Sequence, residues 1–246
     1  MKKKFKIFIL LLISIYSFGQ KSFQSDEFNT TEGILKISFI GHGTLLFEWN
    51  NKFIHIDPYS KVADYDKMPK ADMILITHDH QDHLDETAIS KILKDDTWII
   101  MPAKCFEKIT RKYNTLIVNN GEIKTFLGLN IEAVPAYNII NKRKDGNPFH
   151  PKGEGNGYVL TLANKRVYIA GDTENIPEMR ELKDIDIAFL PMNLPYTMTP
   201  EMVAEAAKSF YPKILYPYHF GNTEPELLKE LFKNEKKIEI RIRDMK

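Results

Sequence analysis

Cysteine is almost missing from this 246-residue chain: Cys105 is the only one, which excludes an intrachain disulfide and any thiolate-rich metal site. It follows the apolar Trp98-Ile99-Ile100-Met101, where a buried structural thiol is expected rather than a nucleophile. An excess of one charge is missing too. The 34 basic and 33 acidic side chains leave a formal charge of +1, which argues against nucleic-acid binding driven by bulk electrostatics. There is no internal repeat and no low-complexity tract. One apolar run stands out, Ile7 to Ile15, and it is shorter than the roughly 20 residues that cross a bilayer, so no permanent membrane span is expected.

That run has a different use. It follows the basic Met1-Lys2-Lys3-Lys4-Phe5-Lys6 and precedes Ser17-Phe18-Gly19, with small residues at −3 and −1 before Gln20. The pattern reads as a cleavable secretory signal over residues 1–19, so the protein is expected to be exported, to the periplasm or beyond the cell. Four lysines leave with the signal, taking the formal charge from +1 to −3. Residues 20–33 are polar and are expected to form a flexible lead-in. Residues 34–246 suit one large domain with a well-buried core.

Histidine is scarce but concentrated. Three of the seven lie in Thr77-His78-Asp79-His80-Gln81-Asp82-His83, directly after the apolar Met73-Ile74-Leu75-Ile76. Imidazole and carboxylate are common metal donors. A strand end fixes the backbone here, while the following loop lets the pair 78 and 80, then the pair 82 and 83, turn toward two neighbouring points. Two metals can share one short segment in this way.

Elsewhere short β-rich runs alternate with amphipathic segments, which indicates an α/β domain. Strands are expected over 35–40, 44–49, 52–56, 98–101, 115–118, twice within 122–134, then 157–162, 166–170, 185–190 and 238–242. Helices are expected over 85–93, 104–113 and 224–232, with a further one opened by Thr199 as N-cap to Pro200-Glu201-Met202.

The cluster at 78–83 resembles the His-x-His-x-Asp-His signature of the metallo-β-lactamase superfamily. Downstream, Arg166-Val167-Tyr168-Ile169-Ala170-Gly171-Asp172-Thr173 is similar to the strand and turn that give that family its bridging aspartate, and Lys213-Ile214-Leu215-Tyr216-Pro217-Tyr218-His219 to the strand ending in its last ligand histidine. Upstream, Phe39-Ile40-Gly41-His42-Gly43-Thr44 and Phe53-Ile54-His55-Ile56-Asp57-Pro58 resemble the opening strands of a branch that includes L-ascorbate-6-phosphate lactonase and the N-acylphosphatidylethanolamine-hydrolysing phospholipases. The resemblance implies a four-layer αββα sandwich. It also implies a ligand set: His78 and His80 for one metal, Asp82, His83 and His219 for the other, and Asp172 bridging both.

The chain departs from the family where Ile131-Glu132-Ala133-Val134-Pro135-Ala136 runs into Tyr137-Asn138, because most members place a third histidine for the first metal there. His150, in Phe149-His150-Pro151-Lys152-Gly153, is the nearest replacement; a metal ligand, a substrate-binding group and a plain loop residue are all open readings of it. Tyr137 is expected either to donate a hydrogen bond to an oxyanion or to be a half-buried aromatic. His42 is read as a substrate-contacting or ligand-supporting residue, or simply as part of a Gly-rich turn. Asp57 is expected to orient ligands through hydrogen bonds, whereas His55 falls on the other face of its strand. Arg143 and Lys152, on the 141–156 loop, are available to an anionic substrate or to solvent.

The function implied is a metal-dependent hydrolase acting on a small-molecule ester, lactone or phosphodiester through metal-bound hydroxide, with Asp82 orienting its proton. Two divalent ions are expected, zinc first, with manganese or iron compatible with the same donors. A non-catalytic metal-dependent binding protein on the same fold, and a true β-lactamase, are the alternatives. No nucleic-acid partner is expected.

Overall fold

Every β-rich run picked out above becomes a strand, and the chain lays the strands down in order as two sheets. The computed structural model describes residues 23–246, so the secretory signal read over residues 1–19 lies outside the described residues. The first sheet contains β1 (Gln24–Thr30), β2 (Gly33–Gly41), β3 (Thr44–Trp49), β4 (Lys52–Ile56), β5 (Met73–Leu75), β6 (Trp98–Met101) and β7 (Asn114–Ile117), hydrogen-bonded in chain order. The second contains β8 (Ile123–Phe126), β9 (Leu129–Ala136), β10 (Gly155–Leu162), β11 (Lys165–Ile169), β12 (Ile187–Pro191), β13 (Ile214–Tyr218) and β14 (Glu239–Ile240), again in chain order. In each sheet the first four strands are antiparallel and the remainder run parallel.

Side-chain alternation along the strands separates the layers. Met73 and Leu75 enter the core between the sheets, where Phe39 and Phe47 meet Phe189 at ring-centroid distances of 6.3 and 6.4 Å. Ile74 and Ile76 point the opposite way, onto α1 (Glu86–Ile92) and α2 (Ala103–Lys108), with Cys105 buried among them. Helices α3 (Pro200–Phe210) and α4 (Leu227–Leu231) cover the second sheet. The result is the expected αββα sandwich.

Two expectations are corrected. Residues 24–30 are not a flexible lead-in but strand β1, paired with β2 from Gln24–Phe39 to Thr30–Gly33. Polarity hid it, because an edge strand needs only one covered face. Asp26, Phe28 and Thr30 form that half-buried face, and Asp26 binds Arg243 at 2.7 Å. The helix expected over 104–113 stops at Lys108. Beyond it, Thr110 N and Oγ1 donate to the Glu86 carboxylate at 2.7 and 3.0 Å, drawing the chain out of the helical path toward α1.

Local capping frames the histidine loop. The Asp85 carboxylate accepts from Thr87 N at 2.9 Å and Ala88 N at 3.3 Å, which starts α1 just after His83 and is worth about 1 kcal/mol. Beneath the loop the sheets are tied by Asn156 N to Thr77 O at 2.8 Å and by Tyr158 Oη to Ile76 O at 2.9 Å.

Candidate metal centre

Strand ends from both sheets converge on one point. The end of β5 delivers residues 78–83, β11 is followed by Gly171-Asp172, and β13 by His219. At the centre is the buried Asp172 carboxylate. His150 Nε2 lies 3.3 Å from it, His219 Nε2 3.5 Å, His83 Nε2 3.7 Å and His78 Nε2 3.9 Å. Gly171 makes this approach feasible: it has φ +65°, and a Cβ there would stand 2.7 Å from Asn156 O.

Two groups of donors adjoin the carboxylate, each with its ligand atoms within 4.8 Å of one another. One is His78, His80 and His150; the other is His42, Asp82, His83 and His219. His150 therefore reaches the position left open by the missing histidine at the end of β9. His42 stands at hydrogen-bond distance from one of these donors and packs on another. Its Nε2 lies 2.9 Å from Asp82 Oδ2 and its ring centroid 3.8 Å from that of His219, and its carbonyl accepts from His219 N at 3.0 Å. Glycine at position 43 permits the contact, since a Cβ there would fall 2.9 Å from His83 Cε1.

Asp57 has the orienting place expected for it. Its carboxylate accepts from Thr77 N at 2.8 Å and Thr77 Oγ1 at 2.6 Å, and meets His83 Nδ1 at 2.7 Å. This fixes the His83 ring so that Nε2 faces Asp172. His55, two residues earlier, points away and meets Pro69 O at 3.0 Å.

Tyr137 does not enter the site, which corrects the oxyanion reading. Ala136 lines the cavity, so alternation returns Tyr137 to the phase of Leu129, Ile131 and Ala133 in the core. Its hydroxyl donates to Glu178 Oε2 at 3.0 Å, and Lys152 sits over its ring at 4.7 Å while binding Glu178 at 2.8 Å. Lys152 is therefore committed elsewhere. Arg143 is not. It lies 3.4 Å from His80 Nε2 and 3.3 Å from Phe149 O, over the Phe149 ring at 5.1 Å, with no carboxylate at ion-pair distance among the described residues.

The donor set suits divalent cations. His83 Nε2, His150 Nε2, His219 Nε2 and Asp172 Oδ1 are buried without a hydrogen-bond partner, an arrangement that is costly unless a cation fills the space between them. Electrostatics agree. Burial opposes charge on His83, but Asp172 and Asp57 outweigh it and push its pKa up to about 9, so the two carboxylates call for positive charge here. Burial also acts against ionisation of Asp172, yet His219 and His83 hold its carboxyl well below the ordinary range. All-nitrogen and oxygen donors fit zinc, manganese or iron. Over the centre lie two cavities of about 430 and 490 Å³, both lined by His80, Arg143, Phe149, His150 and Asp172.

A family model described as a beta-lactamase superfamily domain matches residues 36–219, and a UPF0173 metal-dependent hydrolase from a Geobacillus species is 31% identical over 211 residues, covering 80% of this chain and 89% of that protein. The chain belongs to the UPF0173 metal-dependent hydrolases of the metallo-β-lactamase superfamily. Another member of that family, from Nanoarchaeum equitans, is 29% identical over 209 residues, covering 83% of this hydrolase and 92% of its own chain. Among solved structures, a Parabacteroides distasonis protein provisionally assigned as a metal-dependent hydrolase is similar at 49% identity and TM-score 0.86, covering 92% of this chain and 100% of that one. Igni18, a metallo hydrolase from Ignicoccus hospitalis, shares the fold at 24% identity and TM-score 0.71, over 85% and 95% of the two chains.

Sequence reasoning passed over Asn138 and Glu174, which hold His150 through side-chain bonds. The available signals were an asparagine in the place next to the absent histidine and an acidic residue directly after Gly171-Asp172-Thr173.

Proposed function

We propose that this hydrolase cleaves an anionic small-molecule ester, lactone or phosphodiester at a centre of two divalent ions, zinc first and manganese or iron next. The observation that carries the reading is the convergence of unpartnered imidazole nitrogens on the Asp172 carboxylate. When bound, the two ions would lower the pKa of water toward ~7 and offset developing negative charge. His78, His80 and His150 would hold one ion, His83, His219 and Asp82 the other, and Asp172 both.

The protein groups divide the remaining tasks. Asp82, a third exposed and bonded to His42, faces the cavity and is suited to orient a proton there as a hydrogen-bond acceptor. Arg143 supplies a fixed cation for an anionic substrate group, and Phe149 with Tyr196, in edge contact at 5.0 Å, supplies an apolar wall. The lactone end of the range is favoured by residues 39–44 and 53–58, which resemble the L-ascorbate-6-phosphate lactonase branch. Export rests on the pattern of residues 1–19 and is checked by cell fractionation with N-terminal sequencing of the mature protein. No described helix is long and apolar enough to cross a membrane.

The test is elemental analysis of the purified protein alongside ester, lactone, phosphodiester and nitrocefin assays. Two metals per chain with turnover in one of the first three panels is the expected result. Metal without turnover favours a non-catalytic binding protein, nitrocefin hydrolysis favours a β-lactamase, and absence of metal sinks the reading.

A further inference from the structure

His150 is the one donor of the centre that is carried by a long loop, yet it is buried and its Nε2 points at Asp172 without a hydrogen-bond partner. Something other than sheet register must aim it. Asn138 is bound to it three times. Asn138 N donates to His150 O at 2.9 Å, His150 N donates to Asn138 Oδ1 at 2.8 Å, and His150 Nδ1 meets the same Oδ1 at 2.7 Å.

The amide orientation is determined by its surroundings. Asn138 Nδ2 has two acceptors, Glu174 Oε1 at 3.1 Å and Tyr196 O at 2.8 Å. Turning the amide over would set its NH2 against the His150 N–H and its oxygen against two acceptors. Oδ1 must therefore face His150, and Nδ1 must carry the proton. That leaves the Nε2 lone pair free on the side of Asp172.

Glu174 in turn holds Asn138. Its carboxylate is 1% exposed and accepts four bonds: from Asn138 Nδ2, from Ile139 N at 2.8 Å, from Ile140 N at 2.7 Å and from Asn141 N at 2.6 Å. Three successive backbone amides closing on one carboxylate fix the start of the 138–150 loop. Glu174 also donates its own N–H to Tyr137 O at 3.0 Å, and it stands two residues after Asp172, so one turn carries both the shared carboxylate and the anchor of the loop.

We propose that Glu174 and Asn138 are positioning residues that turn His150 into a preorganised metal donor, replacing a strand-end histidine by a loop histidine with a fixed tautomer. The inference rests on the two-metal reading above and adds a dependence of one metal on residues that touch neither ion.

The experiment measures metal stoichiometry and affinity of the full chain by chelator competition, with the visible spectrum of the cobalt-loaded protein as a second readout. The variants are His150→Ala, Asn138→Ala, Glu174→Gln and Asn141→Ala, each checked for cooperative thermal unfolding. Glu174→Gln keeps the shape but sets an NH2 against backbone donors. Asn141→Ala removes the 2.9 Å bond to Thr197 O in the same loop without touching His150, and controls for general loosening.

His150→Ala should lose one metal. Asn138→Ala and Glu174→Gln should hold that metal about 10- to 100-fold more weakly with an altered cobalt spectrum, and Asn141→Ala should match the wild type. Wild-type affinity in Asn138→Ala, whose backbone bond to His150 survives, overturns the positioning role while leaving the metal reading intact. Equal weakening in Asn141→Ala overturns it as well. Two metals retained in His150→Ala, or none in the wild type, removes the two-metal assignment on which it rests.

Discussion

The donors around His83 and the donors around His80 are held by different means. His219 is fixed by its own backbone, bonded to the His42 carbonyl at the end of β2, and His83 by a buried carboxylate at the end of β4. His150, in the other group, hangs from Asn138 and Glu174. His219 and the Asp57 that holds His83 each stand one residue past a strand, so they inherit precision from the sheet register, which packing of the whole core maintains. A donor on a loop must obtain its precision from hydrogen bonds, and those can be cut one at a time without disturbing a strand.

The comparison predicts that damage to the strand-end group is paid in fold stability. Asp57→Ala leaves buried His83 and Thr77 N without their partner, and should cost about 3–5 kcal/mol in urea unfolding, together with loss of metal. If stability is unchanged, the strand-end group is no more deeply anchored than the loop group. Arg143→Ala removes a 3.3 Å bond to Phe149 O but leaves the Asn138–Glu174 anchor of His150 and the Asp57 anchor of His83 in place. It should leave metal content unchanged and lower kcat/KM for anionic substrates by about tenfold or more, as loss of a charged hydrogen bond of about 1.5–3 kcal/mol requires, with neutral substrates unaffected.

His55 is an internal control, a buried histidine on the same strand facing away from the centre. Burial depresses its pKa to about 4, only partly offset by its bond to Pro69 O. With the folded value below the unfolded one, the unfolded chain binds the extra proton between about pH 6.5 and 4. Stability should therefore fall as pH falls through that window, by at most about 1.4 kcal/mol per pH unit from this group. His55→Phe should flatten the slope in metal-free protein; an unchanged slope would place the titration elsewhere. The smallest effect is expected from Tyr137→Phe. Removing its bond to Glu178 should cost about 1 kcal/mol and leave turnover at the wild-type level.

What could be read in advance followed what is local in the chain. His78, His80, Asp82 and His83 form one short motif after an apolar strand, and Asp172 and His219 each end a strand, so their convergence was legible once the αββα arrangement was implied. His150 was legible only as a question, because no local pattern says which way a loop residue turns. Tyr137 was misplaced by one step of strand alternation, which a hydroxyl in a motif position does not reveal. Strand β1 was missed because edge strands carry polar residues that read as loop. Asn138 and Glu174 act through partners 12 and 36 residues away, so their places beside Tyr137 and after Thr173 marked them without showing what they hold.

The succession of the two sheets along the chain sets an order of assembly for the centre. Residues 24–117 complete the first sheet and already contain His42, His78, His80, Asp82 and His83, whereas His150, Asp172 and His219 arrive with the second. A half-made chain thus presents its imidazoles without Asp172, the carboxylate on which both donor groups converge. Docking of the second sheet, through Asn156 on Thr77 and Tyr158 on Ile76, brings Asp172, His150 and His219 to them and completes both donor groups.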